Sequence, residues 1–105
     1  MQNTLQEPDS KTSVLIDTDW AKCEIEECNG LVSLHVPRLE WGVGYYKMYR
    51  KLFESIKIVI RNLGYEKITV AFSKEDNRTK LARMFDFKHI GQENGYEVYE
   101  IWVTR

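Results

Sequence analysis

The sequence predicts an α+β fold, a mixed and mainly antiparallel sheet with helices packed on it, in the order β-β-β-α-β-α-β-β. Two Asn-Gly pairs, Asn29-Gly30 and Asn94-Gly95, each divide a run of alternating apolar and polar residues. That is the pattern of a hairpin closed by a type I′ turn. Between them, Tyr45 to Leu63 repeats apolar residues at three- and four-residue spacings, the period of an amphipathic helix. Separate runs of strands and helices place the chain in the α+β class.

The elements follow in order. Residues 1–12 are polar and contain Pro8, and are expected to form an arm ahead of a single domain at 13–105. Val14-Leu-Ile16, closed by Asp17-Thr-Asp19, is a candidate edge strand. Trp20 to Val36 reads as the first hairpin. Pairing Cys28 with Leu31 sets Ile25 opposite Leu34, Cys23 opposite Val36, Glu24 opposite His35 and Glu26 opposite Ser33. Ala21, Cys23, Ile25, Val32, Leu34 and Val36 then share the core face. Pro37 cannot donate to a ladder and is expected to end the hairpin. Trp41 to Gly44 is a short Gly-rich link.

Tyr45, Met48, Tyr49, Leu52, Phe53, Ile56, Ile60 and Leu63 make the apolar face of the long helix, and Gly64 is its stop. Ile68 to Phe72 suits a buried strand. Leu81, Ala82, Met84 and Phe85 give a second, shorter helix its apolar side. Phe87 to Gln92 and Tyr96 to Val103 form the second hairpin, in which His89 is expected opposite Glu100.

At 105 residues, 43% hydrophobic and 12% aromatic, the chain is long and apolar enough for one folded domain with a modest core. Its net charge of -1 exerts no global pull on nucleic acid or membrane. The charge is uneven, however, with -5 over residues 1–42 and +4 over residues 43–105. No run of eighteen apolar residues suggests a membrane span, and the first residues lack the basic-then-apolar pattern of a secretory leader. Cys23 and Cys28 lie an odd number of residues apart on one strand, hence on opposite faces, and are not expected to bridge. With His35 and His89 the only histidines, no metal pattern exists. A reducing, non-secreted setting is expected.

The segment Ser73-Lys-Glu-Asp-Asn-Arg-Thr-Lys-Leu-Ala-Arg-Met-Phe-Asp-Phe87 resembles the carboxyl-terminal half of the GNAT acyltransferase fold. In that family an Asn-containing loop leads into a short helix ending Leu-Gly-Phe. Here the ending is Phe85-Asp86-Phe87, with aspartate in the place of glycine. The resemblance covers residues 18–105 in element order and about 66–103 in sequence. It implies a truncated GNAT-like sheet, without the family's first strand and first two helices, which wall the acceptor side of its cleft.

The family binds the pyrophosphate of acetyl-CoA on backbone amides at the start of the helix after its fourth strand, where free N–H groups favour anions. The nearest match is Leu39-Glu-Trp-Gly42-Val-Gly44. The resemblance therefore implies Gly42, Val43, Gly44 and Lys47 as cofactor-binding residues, with Arg50 an alternative phosphate contact and Asn77 lining the channel. Leu39 replaces the family's polar opening residue, and Glu40 adds an unfavourable charge beside a pyrophosphate. The tyrosine that protonates the leaving thiolate in many members corresponds to Ala82, which has no proton to give. Glu24, Glu26, His35 and Glu40 are the candidate general bases, with the cross-strand pair Glu24 and His35 foremost because such pairing tunes an imidazole.

Short chains of this shape are similar to small phage-encoded GNAT-like proteins, including internal virion proteins of podophages. Two functions follow. The first is a non-catalytic interaction module, in a host cytoplasm or a virion, with a protein partner or a second copy held by exposed aromatics such as Trp41, Tyr45, Tyr46 and Trp102. The second is a minimal acetyl-CoA-dependent N-acetyltransferase. Lys47, Arg50, Lys51, Lys57 and Arg61 give the long helix a basic side, but the near-neutral total and the lack of a reader motif argue against nucleic acid.

Overall fold

A computed structural model describes residues 10–76 and 78–104. Six strands and two helices follow one another: β1 (Ser10–Asp17), β2 (Ala21–Cys28), β3 (Leu31–Leu39), α1 (Val43–Asn62), β4 (Lys67–Ser73), α2 (Arg78–Met84), β5 (Lys88–Glu93) and β6 (Tyr96–Trp102). They form one sheet in the order β1-β2-β3-β4-β6-β5. Every neighbouring pair is antiparallel except β3 and β4. These two are parallel because α1 carries the chain back between them, as a crossover must. The predicted α+β class and element order are those observed.

Both Asn-Gly turns form as expected, with Asn29, Gly30, Asn94 and Gly95 all at positive φ. Cys28 pairs with Leu31 and Ile25 with Leu34, as predicted. The expected Cys23–Val36 pairing does not occur, because the register shifts between Lys22 and Glu24 and brings Lys22 opposite Arg38. This irregularity also accommodates Pro37. β3 does not end there but continues to Leu39, a bulge being one of the few places a sheet tolerates proline. Two more bulges lie between Val14 and Ile16 and between His89 and Gly91; the latter sets Lys88 opposite Glu100 and His89 opposite Tyr99, correcting the predicted His89–Glu100 pair. β1 starts at Ser10 and so takes in the last three residues assigned to the arm. Residues 1–9 lie outside the described residues.

α1 begins two residues earlier than its apolar period suggests, so Val43 and Gly44 belong to its first turn rather than to a link. Its end is a Schellman motif. Gly64 N–H donates to Arg61 O, Tyr65 N–H donates to Ile60 O, and Gly64 takes φ +99. Leu63 is therefore the C-cap and exposed, not part of the core face. α2 ends in the same way: Asp86 N–H donates to Arg83 O and Phe87 N–H to Ala82 O, with Asp86 at φ +71. The aspartate thus adopts the left-handed conformation that the family's glycine would supply. Met84 is exposed, leaving Leu81, Ala82 and Phe85 as this segment's core residues.

Both helices pack on the same face of the sheet. Tyr49, Phe53, Ile56 and Ile60 of α1 and Leu81 and Ala82 of α2 meet Cys23, Ile25, Val32, Leu34, Ile68, Val70, Phe72 and Tyr99. Phe53 sits at the centre, 5.5 Å from Phe85 and 5.3 Å from Phe87, ring to ring. Cys23 lines a small apolar cavity in this layer, and burial pushes its thiol up to about 11. Both cysteines are free. The alternate residues of the strands, among them Glu24, Glu26, Ser33, His35, Thr69 and Glu100, form the other face. That face is polar, so the sheet does not require a second helix layer over it.

Candidate functional site

The parallel junction of β3 and β4 holds a single registered pair, Ser33 with Thr69. Beyond it, toward the carboxyl ends of both strands, a cleft of about 350 Å³ opens between them. One wall is Leu34 to Pro37 of β3, and the other is Ala71 to Ser73 of β4 with Asp76, Arg78 and Tyr96. Pro37, lacking an N–H, adds nothing to a ladder here.

Arg78 crosses this cleft. Its Nη1 donates to the backbone carbonyl of Val36, so α2 is tied directly to β3. Nε and Nη2 donate to the Asp76 carboxylate at 2.8–3.1 Å, and the guanidinium lies 5.6 Å from the Phe72 ring centroid. Asp76 Oδ1 also accepts from the Arg78 backbone N–H at 2.8 Å. The hydrogen bonds from Arg78 hold the Asp76 carboxyl below the usual carboxylate range. A carbonyl that the diverging strand leaves unpaired is therefore satisfied by a charged, doubly anchored donor.

His35 lines the cleft on the polar face. It stands opposite Glu24 in the ladder, as predicted, but its ring is not paired with that residue. Nε2 lies 3.1 Å from Glu26 Oε1, whose other oxygen accepts from Ser10 Oγ at 2.7 Å. Glu24 instead lies 3.9 Å from Lys22 Nζ. The hydrogen bonds from Ser10 and His35 lower the Glu26 carboxyl. The histidine–carboxylate pair is thus Glu26–His35, because side chains reach diagonally across neighbouring strands.

The other candidates gather at the amino end of α1. Gly42 is the N-cap and makes no side-chain capping bond, and the first turn has no acidic residue. Val43 is 98% exposed, and a side chain at Gly44 would meet open space. Lys47 is exposed one turn further on. Glu40, which precedes this end, has its carbonyl bound by Tyr49 Oη at 2.6 Å. Trp20, Tyr45, Tyr49 and Trp41 form an aromatic cluster beneath, with Tyr45 stacked on Tyr49 at 5.6 Å. Asn77 lies outside the described residues. Ala82 is 3% exposed and lines the apolar cavity, not the cleft.

The structure therefore separates the predicted site residues into two groups. Gly42, Val43, Gly44 and Lys47 share the start of α1, while Glu24 and His35 lie on the polar face. The first group follows the carboxyl end of β3, and the second spans β2 and β3. Ser73, Asp76, Arg78 and Tyr96 line the cleft and escaped the sequence reading. The parallel crossover was the available signal, since β-α-β connectivity with a proline-bearing first strand marks where a ladder can open. Among the described residues no group of histidine, cysteine, aspartate and glutamate could hold a metal ion. No described helix is long and apolar enough to cross a membrane.

No family model matches the chain, and no curated protein matches it. Its fold is similar to two solved structures. One is a presumed acetyltransferase from Agrobacterium tumefaciens, with a TM-score of 0.57 at 14% identity, covering 90% of this chain and 74% of that one. The other is a presumed acetyltransferase from Sphaerobacter thermophilus, with a TM-score of 0.55 at 17% identity, covering 90% of this chain and 67% of that one. At such identities the likeness establishes an acetyltransferase-like fold.

Proposed function

We propose that this chain is a non-catalytic interaction module built on an acetyltransferase-like fold, working through contact with a protein partner or a second copy. The observation that carries this reading is the Arg78 bridge. The cleft between the parallel strands is spanned from within by a guanidinium fixed to Val36 O and Asp76. A ligand using that carbonyl must first displace a charge-assisted bond. Ala82, buried at the position of the family's acid, supports the same reading. Trp41, 42% exposed beside the amino end of α1, is a suitable anchor for a partner. The phage resemblance suggests a virion or host-cell setting for that contact.

Titration calorimetry with acetyl-CoA, alongside mass determination in the same buffer, tests the proposal. No heat up to millimolar ligand from folded protein is the expected result. Saturable micromolar binding would overturn it and favour the second reading, a minimal acetyl-CoA-dependent N-acetyltransferase. That reading is supported by the open cleft and by the acid-free start of α1 at Gly42 and Gly44. In that case Gly44→Glu should abolish binding, because it adds a carboxylate where pyrophosphate would sit.

A further inference from the structure

The near-neutral total charge conceals a separation by layer. α1 and α2 together carry eight basic side chains and one acid, Glu54, a balance of +7. The whole chain stands at -1, so the remainder of the sequence carries -8. Both helices lie on one face of the sheet, so apart from Arg78, which is clamped to Asp76 in the cleft, the positive charge is collected on one side of the molecule, where Glu54 pairs with Lys57 at 3.0 Å and Asp86 lies 3.7 Å from Arg50. A net charge averaged over the chain says nothing of such a field.

The positive side is organised as well as charged. Lys47, Lys51, Lys80 and Arg83 are exposed and make no ion pair among the described residues. Arg50 is fixed between them, donating to Met84 O at 2.9 Å with its guanidinium 5.6 Å from the Phe85 ring centroid. Lys57 lies 5.4 Å from the Phe53 ring centroid, and Arg61 donates to Val103 O. From Lys47 to Arg61 the band runs about 20 Å along α1, at 1.5 Å per residue. Val59 and Leu63, half-exposed aliphatics that would seed an apolar protein interface, lie on the opposite flank of the helix. Val43 and Ile58, the exposed aliphatics on the charged side of α1, lie about 22 Å apart along the helix and form no apolar centre, so the band suits a phosphate backbone better than an acidic protein.

We infer that the α1–α2 layer is a sequence-independent binding surface for the sugar-phosphate backbone of nucleic acid. The inference goes beyond the proposed function and is independent of whether the β3–β4 cleft takes an acyl donor. Contacts to phosphate position a protein without reading bases, which fits a surface with no reader motif.

The test is fluorescence anisotropy of the full chain with a labelled 25-base-pair duplex over a range of KCl concentrations. The expected affinity falls with salt at a logarithmic slope of about -3.6 to -4.5, the value for some four to five neutralised phosphates at roughly 0.9 each. The variant Lys47→Glu/Lys51→Glu/Arg83→Glu should lose at least tenfold, and a control on the uncovered face of the sheet, Lys88→Glu, which stands opposite Glu100, less than twofold. All four positions are exposed, and circular dichroism confirms that each variant is folded. No binding in 50 mM KCl overturns the inference, as does an equal loss in both variants. Displacement of the duplex by micromolar acetyl-CoA would reassign the phosphate contacts to a nucleotide cofactor. Tighter binding to poly-glutamate of matched charge than to the duplex would reassign the surface to an acidic protein. Either outcome overturns it.

Discussion

At position 86 an L-residue occupies a conformation that favours glycine. Asp86 closes the Schellman motif of α2 at φ +71, as Gly64 closes that of α1 at φ +99. Aspartate tolerates this region better than most residues, yet a Cβ there still has a cost. Asp86→Gly should stabilise the fold by about 0.5–1 kcal/mol, read as a higher urea midpoint, since the Arg50–Asp86 contact it removes is long and exposed. A lower midpoint would show that the contact outweighs the backbone. Asp76 gives a second residue-scale expectation. Its carboxyl is lowered in the folded protein by Arg78, so its contribution to stability is present above the unfolded carboxylate value and disappears as pH falls through the folded one. The gap in urea midpoint between the native chain and Asp76→Asn should be full at pH 6 and should shrink below about pH 4. A gap independent of pH would mean that the Asp76–Arg78 clamp contributes nothing through charge.

Among the elements, α1 is the one on which the packing depends. Its buried row reaches the sheet through aromatic side chains, and Phe53 touches both phenylalanines that follow α2. Phe53→Ala should cost about 3–5 kcal/mol, measured by equilibrium unfolding, while Val43→Ala, at an exposed position of the same helix, should cost little. A small loss at Phe53 would mean that the layer closes around the gap. The helix itself, both Asn-Gly hairpins and the core face of β2 and β3 were legible in the sequence, because each depends on local periodicity or local turn chemistry. The three bulges were not. Their register shifts depend on neighbouring strands, and they moved Cys23, Pro37 and His89 away from their expected partners. The Glu26–His35 pair was missed for a related reason, since side-chain reach across a twisted ladder does not follow the directly opposed residue.

For the whole molecule, the sheet has one face covered by α1 and α2 and one that is polar. Glu24, Glu26, His35, Thr69 and Glu100 give that second face a surface that solvent can cover. The charge balance was likewise legible only as two halves of the sequence, and the fold was needed to collect it into a layer. The cleft was least legible of all, because a single parallel pair between strands thirty-odd residues apart leaves no local trace. That junction divides the hydrogen-bonded sheet into two blocks, residues 10–39 and 67–102, each pairing almost entirely within itself. The β1–β2, β2–β3 and β5–β6 hairpins are short-range and can zip early, while β4 joins β6 across 23 to 35 residues within its own block. α1 is then a splice, and the seam is a score line. A backbone nick between Gly64 and Lys67 would sever no strand from an antiparallel partner, making this chain a ready scaffold for two-fragment complementation.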